Sequence, residues 1–424
     1  MMRPSHLLSA CLTLFLFSNG APAQERAVDF FDRARDEESK GEMEKALADY
    51  THTIQLAPKF PDAYFCRANL KAGQGDWDAA LADYDLAIQL APSYAEACYE
   101  RGNAKYNKNE FDGAILDYNR AIKLRPNYAW ALNGRGNAYW EKGDYEPAYA
   151  DYRHAVRLDP KYAAAVGNLA QFTWVIRTNP VVAERLFRRC LELDPQDGYH
   201  ARQFAWFLWH ASTNIDEAEQ LYRKNVVLSP TNAEYAQDLG TFFRYGRTNN
   251  DEAEVYFRKA FDLAPADASR AFSLATFMQL GRSNIVEAEK FYRQALTLAP
   301  ANADYAQGFA YFLQTTRTNY DQAEKYYRQA AELAPTNAYD NYCIAKFLQD
   351  YRTNYSEAEH FYRRAADSAP DGDPYYVYQF ALFEEQQMSN YAEAGRLYQQ
   401  AQALNPDVVL IKTNYARFLK EHPP

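Results

Sequence analysis

Beyond residue 17 the chain has no apolar run approaching the ~20 residues that a helix needs to cross a bilayer. It lacks a basic excess as well: 46 lysines and arginines face 56 aspartates and glutamates, a formal charge of −10. Nucleic-acid binding calls for a clustered basic face, so that class of partner is not expected. Cysteine is scarce, five in 424 residues, with no CxxC pair and no metal-ligand spacing. The histidines after the first 23 residues are His52, His154, His200, His210, His360 and His422, and no two lie three or four apart. That argues against a two-ligand helical metal motif. No phosphate-cradling glycine loop or nucleophile elbow occurs, and Gly134-Arg135-Gly136 falls inside a helical pattern. These absences predict a non-catalytic chain with no metal and no cofactor. Acidic pairs such as Glu37-Glu38 and Glu384-Glu385 are expected on solvated helix faces.

The first 23 residues read differently from the rest. Arg3 gives a short positive start, Leu7 to Phe17 an apolar stretch, and Ala21-Pro22-Ala23 an A-x-A cleavage site, which is the layout of a secretory signal. Cleavage there starts the mature chain at Gln24 and, without Arg3, leaves 45 basic against 56 acidic residues, a charge of −11. Leu8-Ser9-Ala10-Cys11 has the form of a lipoprotein box, but the apolar run continues past Cys11, so a lipid anchor there is not expected. The expectation is an exported, soluble protein, periplasmic or extracellular in a bacterial envelope. Cys66, Cys98, Cys190 and Cys343 fall at helix positions and read as free, buried thiols. Cys66 with Cys98 is the single pairing worth testing.

What the chain does have is a period. Pro58, Pro92, Pro126, Pro160, Pro195, Pro230, Pro265, Pro300, Pro335, Pro370 and Pro406 recur at intervals of 34, then 35, then once 36 residues. Such a period marks a stack of supersecondary units, none able to bury its own apolar face. Aligned on the prolines, the repeats run 27–60, 61–94, 95–128, 129–162, 163–197, 198–232, 233–267, 268–302, 303–337, 338–373 and 374–408. Each reads as two helices, the second stopped by its proline. The eighth residue is always small: Ala34, Ala68, Gly102, Gly136, Ala170, Ala205, Gly240, Ala275, Ala310, Ala345, Ala381, with Ala416 in a last lone helix. An alanine recurs early in every second helix (Ala46, Ala80, Ala114, Ala148, Ala183, Ala218, Ala253, Ala288, Ala323, Ala358, Ala394). Four residues later, one turn along the same face, stands an aromatic: Tyr50, Tyr84, Tyr118, Tyr152, Phe187, Tyr222, Phe257, Tyr292, Tyr327, Tyr362 and Tyr398. Close helix approach at the small residues and rings filling the seam follow from this pattern, so most of the tyrosine is expected in the core.

Small at position 8, Ala at 20, aromatic at 24, often Ala at 27 and Pro at 32 resemble the tetratricopeptide repeat, in eleven copies over nearly all of the chain past residue 23. The resemblance implies an all-α solenoid, a right-handed superhelix whose first helices line a concave groove that binds peptides or protein partners. The organisation expected is a signal peptide 1–23, four 34-residue repeats in 24–162, seven longer repeats in 163–408, and a capping helix and tail in 409–424, with 24–424 one continuous solenoid. In the longer repeats the added residue is expected in the turn, as in Arg247-Thr248-Asn249, Arg282-Ser283-Asn284, Arg317-Thr318-Asn319 and Arg352-Thr353-Asn354. These asparagines have capping-box spacing to Glu252, Glu287, Gln322 and Glu357, and the recurrence reads as structural. In the final helix, Lys412, Arg417 and Lys420 are expected on the polar outer face.

In the family's geometry, positions 2, 5, 9 and 12 of the first helix face the groove. Position 9 brings Asn69, Asn103, Asn137 and then Gln171, whose amides both donate and accept and so suit an extended peptide backbone. Position 12 brings Tyr106, Trp140, Trp174, Trp209 and Arg244. With Trp130, Tyr199 and Trp206, five of the chain's six tryptophans fall on one face of repeats four to six. Either these rings form a ligand-binding patch or they pack sideways on neighbouring first helices. The carboxylate clamp of chaperone-binding relatives is absent: its positions hold Phe65, Asn69, Glu100, Trp130 and Gly134, of which only the asparagine fits. The reading is a protein-binding scaffold that takes a peptide or protein segment. The alternative is an envelope-assembly or polysaccharide-export component whose rings stack on glycan.

Overall fold

Ala57, Ala91, Arg125 and Asp159 stand before closing prolines with φ of −134°, −131°, −136° and −132°, outside helical geometry, and each second helix ends one residue earlier. This is the steric restriction that proline imposes on its predecessor. The computed structural model describes residues 21–424 apart from 213, 370–372 and 424, with side chains from residue 25. The apolar stretch of the leader, Cys11 with its cleavage box, and Pro370 lie outside the described residues. Among the described residues the chain is an all-α solenoid of 23 α-helices without a strand. It forms two compact units that divide between Phe207 and Leu208.

In the first unit the pairs are Ala21–Ser39 with Met43–Leu56, Pro61–Gly73 with Trp77–Leu90, Ala95–Asn107 with Phe111–Leu124, Ala129–Glu141 with Tyr145–Leu158 and Ala163–Val175 with Pro180–Leu193, followed by Gly198–Phe207. In the second unit the first α-helix is Ile215–Leu228; after it Ala233–Tyr245 pairs with Asn250–Leu263, Ala268–Leu280 with Ile285–Leu298, Ala303–Phe312 with Tyr320–Leu333, Ala338–Phe347 with Tyr355–Asp367 and Tyr375–Gln386 with Tyr391–Leu404, and Val409–Glu421 closes the stack.

The three steric columns behave as their residue types require. All eleven second-helix alanines have no exposed surface, and all eleven aromatics four residues on are buried. The close approach is measurable at glycine: a Cβ on Gly102 would lie 2.8 Å from the Tyr118 ring, and one on Gly136 2.8 Å from Tyr152. Gly134, in the next repeat, would meet Tyr118 at 2.9 Å, so this ring is wedged between two backbones. Adding bulk there costs about 1–3 kcal/mol. Ala416 alone departs from its column: it is exposed, because no second helix follows to cover it.

Charged side chains tie the pairs together in two ways. In the first four repeats an arginine at position 7 forks onto an aspartate sixteen residues on. Arg67 Nε and Nη2 donate to Asp83 at 2.8 and 2.7 Å, and Arg135 does so to Asp151 at 2.7 and 2.7 Å. Arg33 with Asp49 and Arg101 with Asp117 repeat the fork, all four aspartates being buried. In the longer repeats the turn arginine reaches back to a glutamate of the preceding second helix: Arg247 to Glu219, Arg282 to Glu254 and Arg352 to Glu324, at 2.7, 2.6 and 2.7 Å. The Arg-Thr-Asn recurrence is thus occupied in intramolecular pairs.

Several expectations need correction. The extra residue does not lengthen the turn; it widens the last turn of the first helix. Leu208–Ser212, Leu313–Arg317 and Leu348–Arg352 are π-helical, and elsewhere Arg247 N bonds Phe242 O, five residues back, at 3.2 Å. The asparagines do cap: Asn249, Asn284, Asn319 and Asn354 accept from the N–H groups of Glu252, Glu287, Gln322 and Glu357. The reciprocal half of the box is missing, because the cap N–H is already taken; Asn284 N, for one, donates to Met278 O at 2.8 Å. Glu384 and Glu385 are not solvated. Glu385 accepts Arg417 at 2.8 and 2.9 Å and the Tyr398 hydroxyl at 2.6 Å, so Arg417 points inward and only Lys412 and Lys420 face solvent. Glu384 is 0% exposed, and among the described residues neither carboxylate oxygen has a hydrogen bond of good geometry, Asn390 being the nearest donor that acts on it. The four cysteines are free, and Cys66 and Cys98 sit in separate core clusters.

Candidate binding surface

Four consecutive first helices of the first unit present side chains to one concavity of about 280 Å³. Ala95–Asn107 contributes Tyr106; Ala129–Glu141 contributes Asn137, Trp140 and Glu141; Ala163–Val175 contributes Asn168 and Gln171; Gly198–Phe207 contributes Tyr199. Tyr152, the aromatic wedge of repeat four, also lines it. Spacings of three and four residues put the side chains from each helix on one face.

Hydrogen bonds fix much of this lining. Tyr152 Oη donates to Asn137 Oδ1 at 2.8 Å, Tyr199 Oη to Gln171 Oε1 at 3.3 Å, and Tyr106 Oη to Glu141 Oε1 at 3.4 Å. Asn168 Nδ2 donates to Asn137 Oδ1 at 3.1 Å and to Asn133 Oδ1 at 3.0 Å, bridging repeats four and five. Burial and the nearby Glu141 push the Tyr106 hydroxyl up to about 12. Burial raises Tyr152 further, with Tyr106, Tyr199 and Glu141 adding to it. These phenols stay protonated and donating throughout the physiological range.

The asparagine ladder is partly a core device. Tyr84, Tyr118 and Tyr152 donate to the Oδ1 atoms of Asn69, Asn103 and Asn137 at 2.6, 2.7 and 2.8 Å. Asn103 also spends its Nδ2 on Glu100 at 2.9 Å. What remains toward a ligand is the donor half of Asn69 and Asn137, not the full amide. A constant offset of fifteen residues between asparagine and tyrosine is the sequence signal that reveals this pairing.

Each tryptophan of the patch leans on another aromatic ring, and Trp140, Trp174 and Trp209 do so on the following repeat. Trp130 stacks on Tyr162 (5.5 Å, 14°), Trp140 meets Phe172 edge-on at 5.2 Å, and Trp174 meets Phe207 edge-on at 5.3 Å and Trp206 at 4.6 Å. Sideways packing therefore accounts for part of these rings. Tyr199 and Trp206 keep 45% and 43% of their surface exposed. Trp209 and Arg244 belong to the second unit, where Trp209 packs edge-on against Phe242 at 5.5 Å and Arg244 lies over Tyr245 and Phe277. Of the twelve predicted positions, Tyr106, Asn137, Trp140, Gln171 and Tyr199 converge on the concavity. Glu141 and Asn168 were not singled out from sequence, and Tyr152 was expected as a core ring alone: Glu141 lies one residue past the groove column, Asn168 on a neighbouring face, and Tyr152 on the second helix Tyr145–Leu158.

Beside the concavity, Asp197 caps the helix Gly198–Phe207, accepting from His200 N at 3.1 Å and meeting His200 Nδ1 at 2.5 Å. Burial disfavours this carboxylate, but the His200 bonds outweigh it and hold its pKa below the ordinary value. His200 Nε2 lies 3.2 Å from Asn168 Oδ1, and its ring occupies the space above Gly167. Cys190 brings a third potential ligand atom within 4.8 Å of these two, but its Sγ donates to Ala163 O at 3.2 Å, and burial pushes the thiol up to about 12. A similar grouping of Glu385, Glu421 and His422 in the second unit is engaged through the Glu385 bonds to Arg417 and Tyr398.

Family models described as tetratricopeptide repeat match residues 31–95, 129–162 and 316–337, and one described as TPR repeat matches 102–143. No curated protein matches the chain. Among solved structures it is similar to yeast Tom70, at 16% identity over 94% of this chain and 95% of that one, with a TM-score of 0.48. It is also similar to pilF of Pseudomonas aeruginosa (22% identity, 52% of this chain, 97% of that one, TM-score 0.42). A tetratricopeptide repeat protein from Parabacteroides merdae matches at 18% identity over 60% of this chain and 99% of its own, with a TM-score of 0.48.

Proposed function

Because the chain is a protein of the tetratricopeptide-repeat superfamily, whose repeats mediate protein–protein interaction, we propose that it is an exported, non-catalytic scaffold. In this reading it holds an extended segment of a partner protein along the first helices of its first unit. The observation that carries this is the concavity walled by Tyr106, Trp140 and Tyr199 and floored by amides. Exposed tyrosine and tryptophan beside a concave surface are the side chains that most often dominate binding energy. The free amide donors of Asn137 and Gln171 suit the carbonyl groups of an extended backbone, giving grip without side-chain selectivity. Export rests on Arg3, the apolar stretch to Phe17 and the A-x-A site ending at Ala23.

The test is capture from an envelope extract by the purified protein beside a Tyr106→Ala/Tyr199→Ala variant with an unchanged circular dichroism spectrum. A protein crosslinked to the first unit and retained by the wild type alone supports the reading. Equal retention by both overturns it. A polysaccharide retained in place of a protein moves the assignment to envelope assembly or polysaccharide export, with the rings stacking on sugars. Export is checked by fractionating cells and sequencing the mature N-terminus, which should be Gln24.

A further inference from the structure

Resting on that peptide-binding reading, the chemistry of the concavity says what kind of side chain enters it. Its volume, about 280 Å³, falls just under the ~300–1,000 Å³ of typical small-molecule sites and suits one long side chain. Glu141 supplies the only formal charge in the lining, and no lysine or arginine lines it. Glu141 is exposed, and among the described residues its one bond is to the Tyr106 hydroxyl. The neighbouring Lys142 turns away to Asp112 at 2.5 Å, and Arg202, whose charge acts on the Tyr199 hydroxyl, does not line the space, so among the described residues no lysine or arginine of the lining answers this carboxylate.

The hydroxyl protons are directed the same way. Tyr106, Tyr152 and Tyr199 spend theirs on Glu141, Asn137 and Gln171, which leaves the three phenolic oxygens as acceptors. Tyr106, Trp140 and Tyr199 bring three aromatic rings to the same lining, and the face of such a ring carries the negative side of its quadrupole. An anion meets repulsion here, and a neutral apolar chain leaves the carboxylate and the phenolic oxygens unanswered. A carboxylate clamp would show the opposite sign, with lysines where this chain has Phe65 and Trp130 and an arginine where it has Gly134.

We infer that the concavity is a cation pocket. It receives the lysine or arginine side chain of a bound segment, the charged head paired with Glu141 and the stem lying against the faces of Tyr106, Trp140 and Tyr199. The nearby amides of Asn137 and Gln171 hold the flanking backbone.

The experiment uses the purified protein with nitrogen-15-labelled indoles and five peptides, acetyl-Ala-Ser-X-Ser-Ala-amide, where X is lysine, arginine, norleucine, citrulline or glutamate. The Trp140 indole resonance is identified by its loss in Trp140→Phe, and its shift on titration reports occupancy. Lysine and arginine peptides are expected to bind about tenfold more tightly than norleucine and citrulline peptides, and the ratio between the two cations tells which head group fits better. Glu141→Gln should abolish that preference while leaving the other indole signals in place, and Tyr199→Leu should weaken both cations. If norleucine and citrulline bind as well as lysine and arginine, or glutamate binds better, cation selection is wrong while peptide binding stands. If no peptide moves Trp140, both the pocket and the groove reading fail at this site.

Discussion

The 34-residue and 35-residue repeats share one steric skeleton and wire it differently. In both, a small first-helix residue faces a second-helix alanine, and an aromatic ring fills the seam. In three of the four short repeats the wedge hydroxyl goes to asparagine at position 9, fifteen residues back: Tyr84 to Asn69, Tyr118 to Asn103, Tyr152 to Asn137; in the first, Tyr50 goes to Glu38 at 2.9 Å. In the last four long repeats it goes to position 12, thirteen residues back: Tyr292 to Gln279, Tyr327 to Gln314, Tyr362 to Gln349 and Tyr398 to Glu385, at 2.8, 2.6, 2.6 and 2.6 Å. In those four repeats the hydroxyl is met a turn further along the first helix, by the longer side chain of a glutamine or glutamate. Where the wedge is Phe187 or Phe257, position 12 holds Trp174 or Arg244 instead of an acceptor. Apolar packing tolerates the insertion, whereas each buried hydroxyl still needs a partner.

Turns and charges follow the same division. The short repeats turn through a left-handed glycine or asparagine, Gly41, Gly75, Asn109 and Gly143. The long ones place Thr178, Thr248, Ser283, Thr318, Thr353 and Ser389 there, at φ of 49° to 55°, a conformation that is costly for a β-branched residue. The short repeats hold a buried aspartate within the helix pair; the long ones link one second helix to the next turn through partly exposed glutamates.

The strongest way to break this comparison is to remove one acid from each wiring. Asp117→Ala strands Arg101 and Lys105 against a buried surface and should cost about 3–5 kcal/mol. Glu254→Ala removes a partner of Arg258 and Arg282 at a more exposed site and should cost about 1 kcal/mol or less. Urea unfolding followed by circular dichroism measures both, and equal losses would erase the distinction between a buried and a surface tie.

Glu384 offers a second, intermediate test. Its column holds Phe243, Met278, Leu313 and Leu348 in the four repeats before it, all buried. Burial raises the carboxyl above its ordinary 4.5, with Glu359 adding to it. The folded state then binds the proton more tightly than the unfolded state, so stability falls as pH rises from about the ordinary glutamate value. Glu384→Leu should therefore stabilise the protein by about 1–3 kcal/mol at neutral pH, and the gain should shrink as pH falls toward ~4.5. Asp340, pushed up to about 6 by burial and then by Asp304, carries the same sign. Asp340→Asn should remove the part of the stability loss that falls between the ordinary 3.8 and about 6. Melting curves across that range check both, and a gain independent of pH would contradict the assignment.

The smallest effect sharpens the rewiring itself. Tyr327→Phe and Gln314→Leu each break the 2.6 Å bond, and the single change at Gln314 also leaves a buried hydroxyl orphaned. A double-mutant cycle should give a coupling of about 1 kcal/mol. Additive costs would mean that the hydroxyl finds another acceptor.

The site was less legible than the fold. Tyr106, Asn137, Trp140, Gln171 and Tyr199 are recoverable by counting groove positions, but Glu141, which gives the concavity its charge, sits one residue outside the counted columns. Counting likewise puts Trp209 beside Trp206, although the two fall in different compact units. Nor did it foresee that half of each ladder amide serves the core. Period, helix pairing, proline stops and the small–small–aromatic columns were all determined by the sequence alone, because each expresses short-range sterics within a helix or across its nearest neighbour. Tertiary structure alone decided which acceptor takes each buried hydroxyl, that the added residue becomes a π turn, and that a lone carboxylate and three rings close on one space. Those outcomes depend on ångström-scale rotation and offset between helices, which residue spacing along a single helix does not specify.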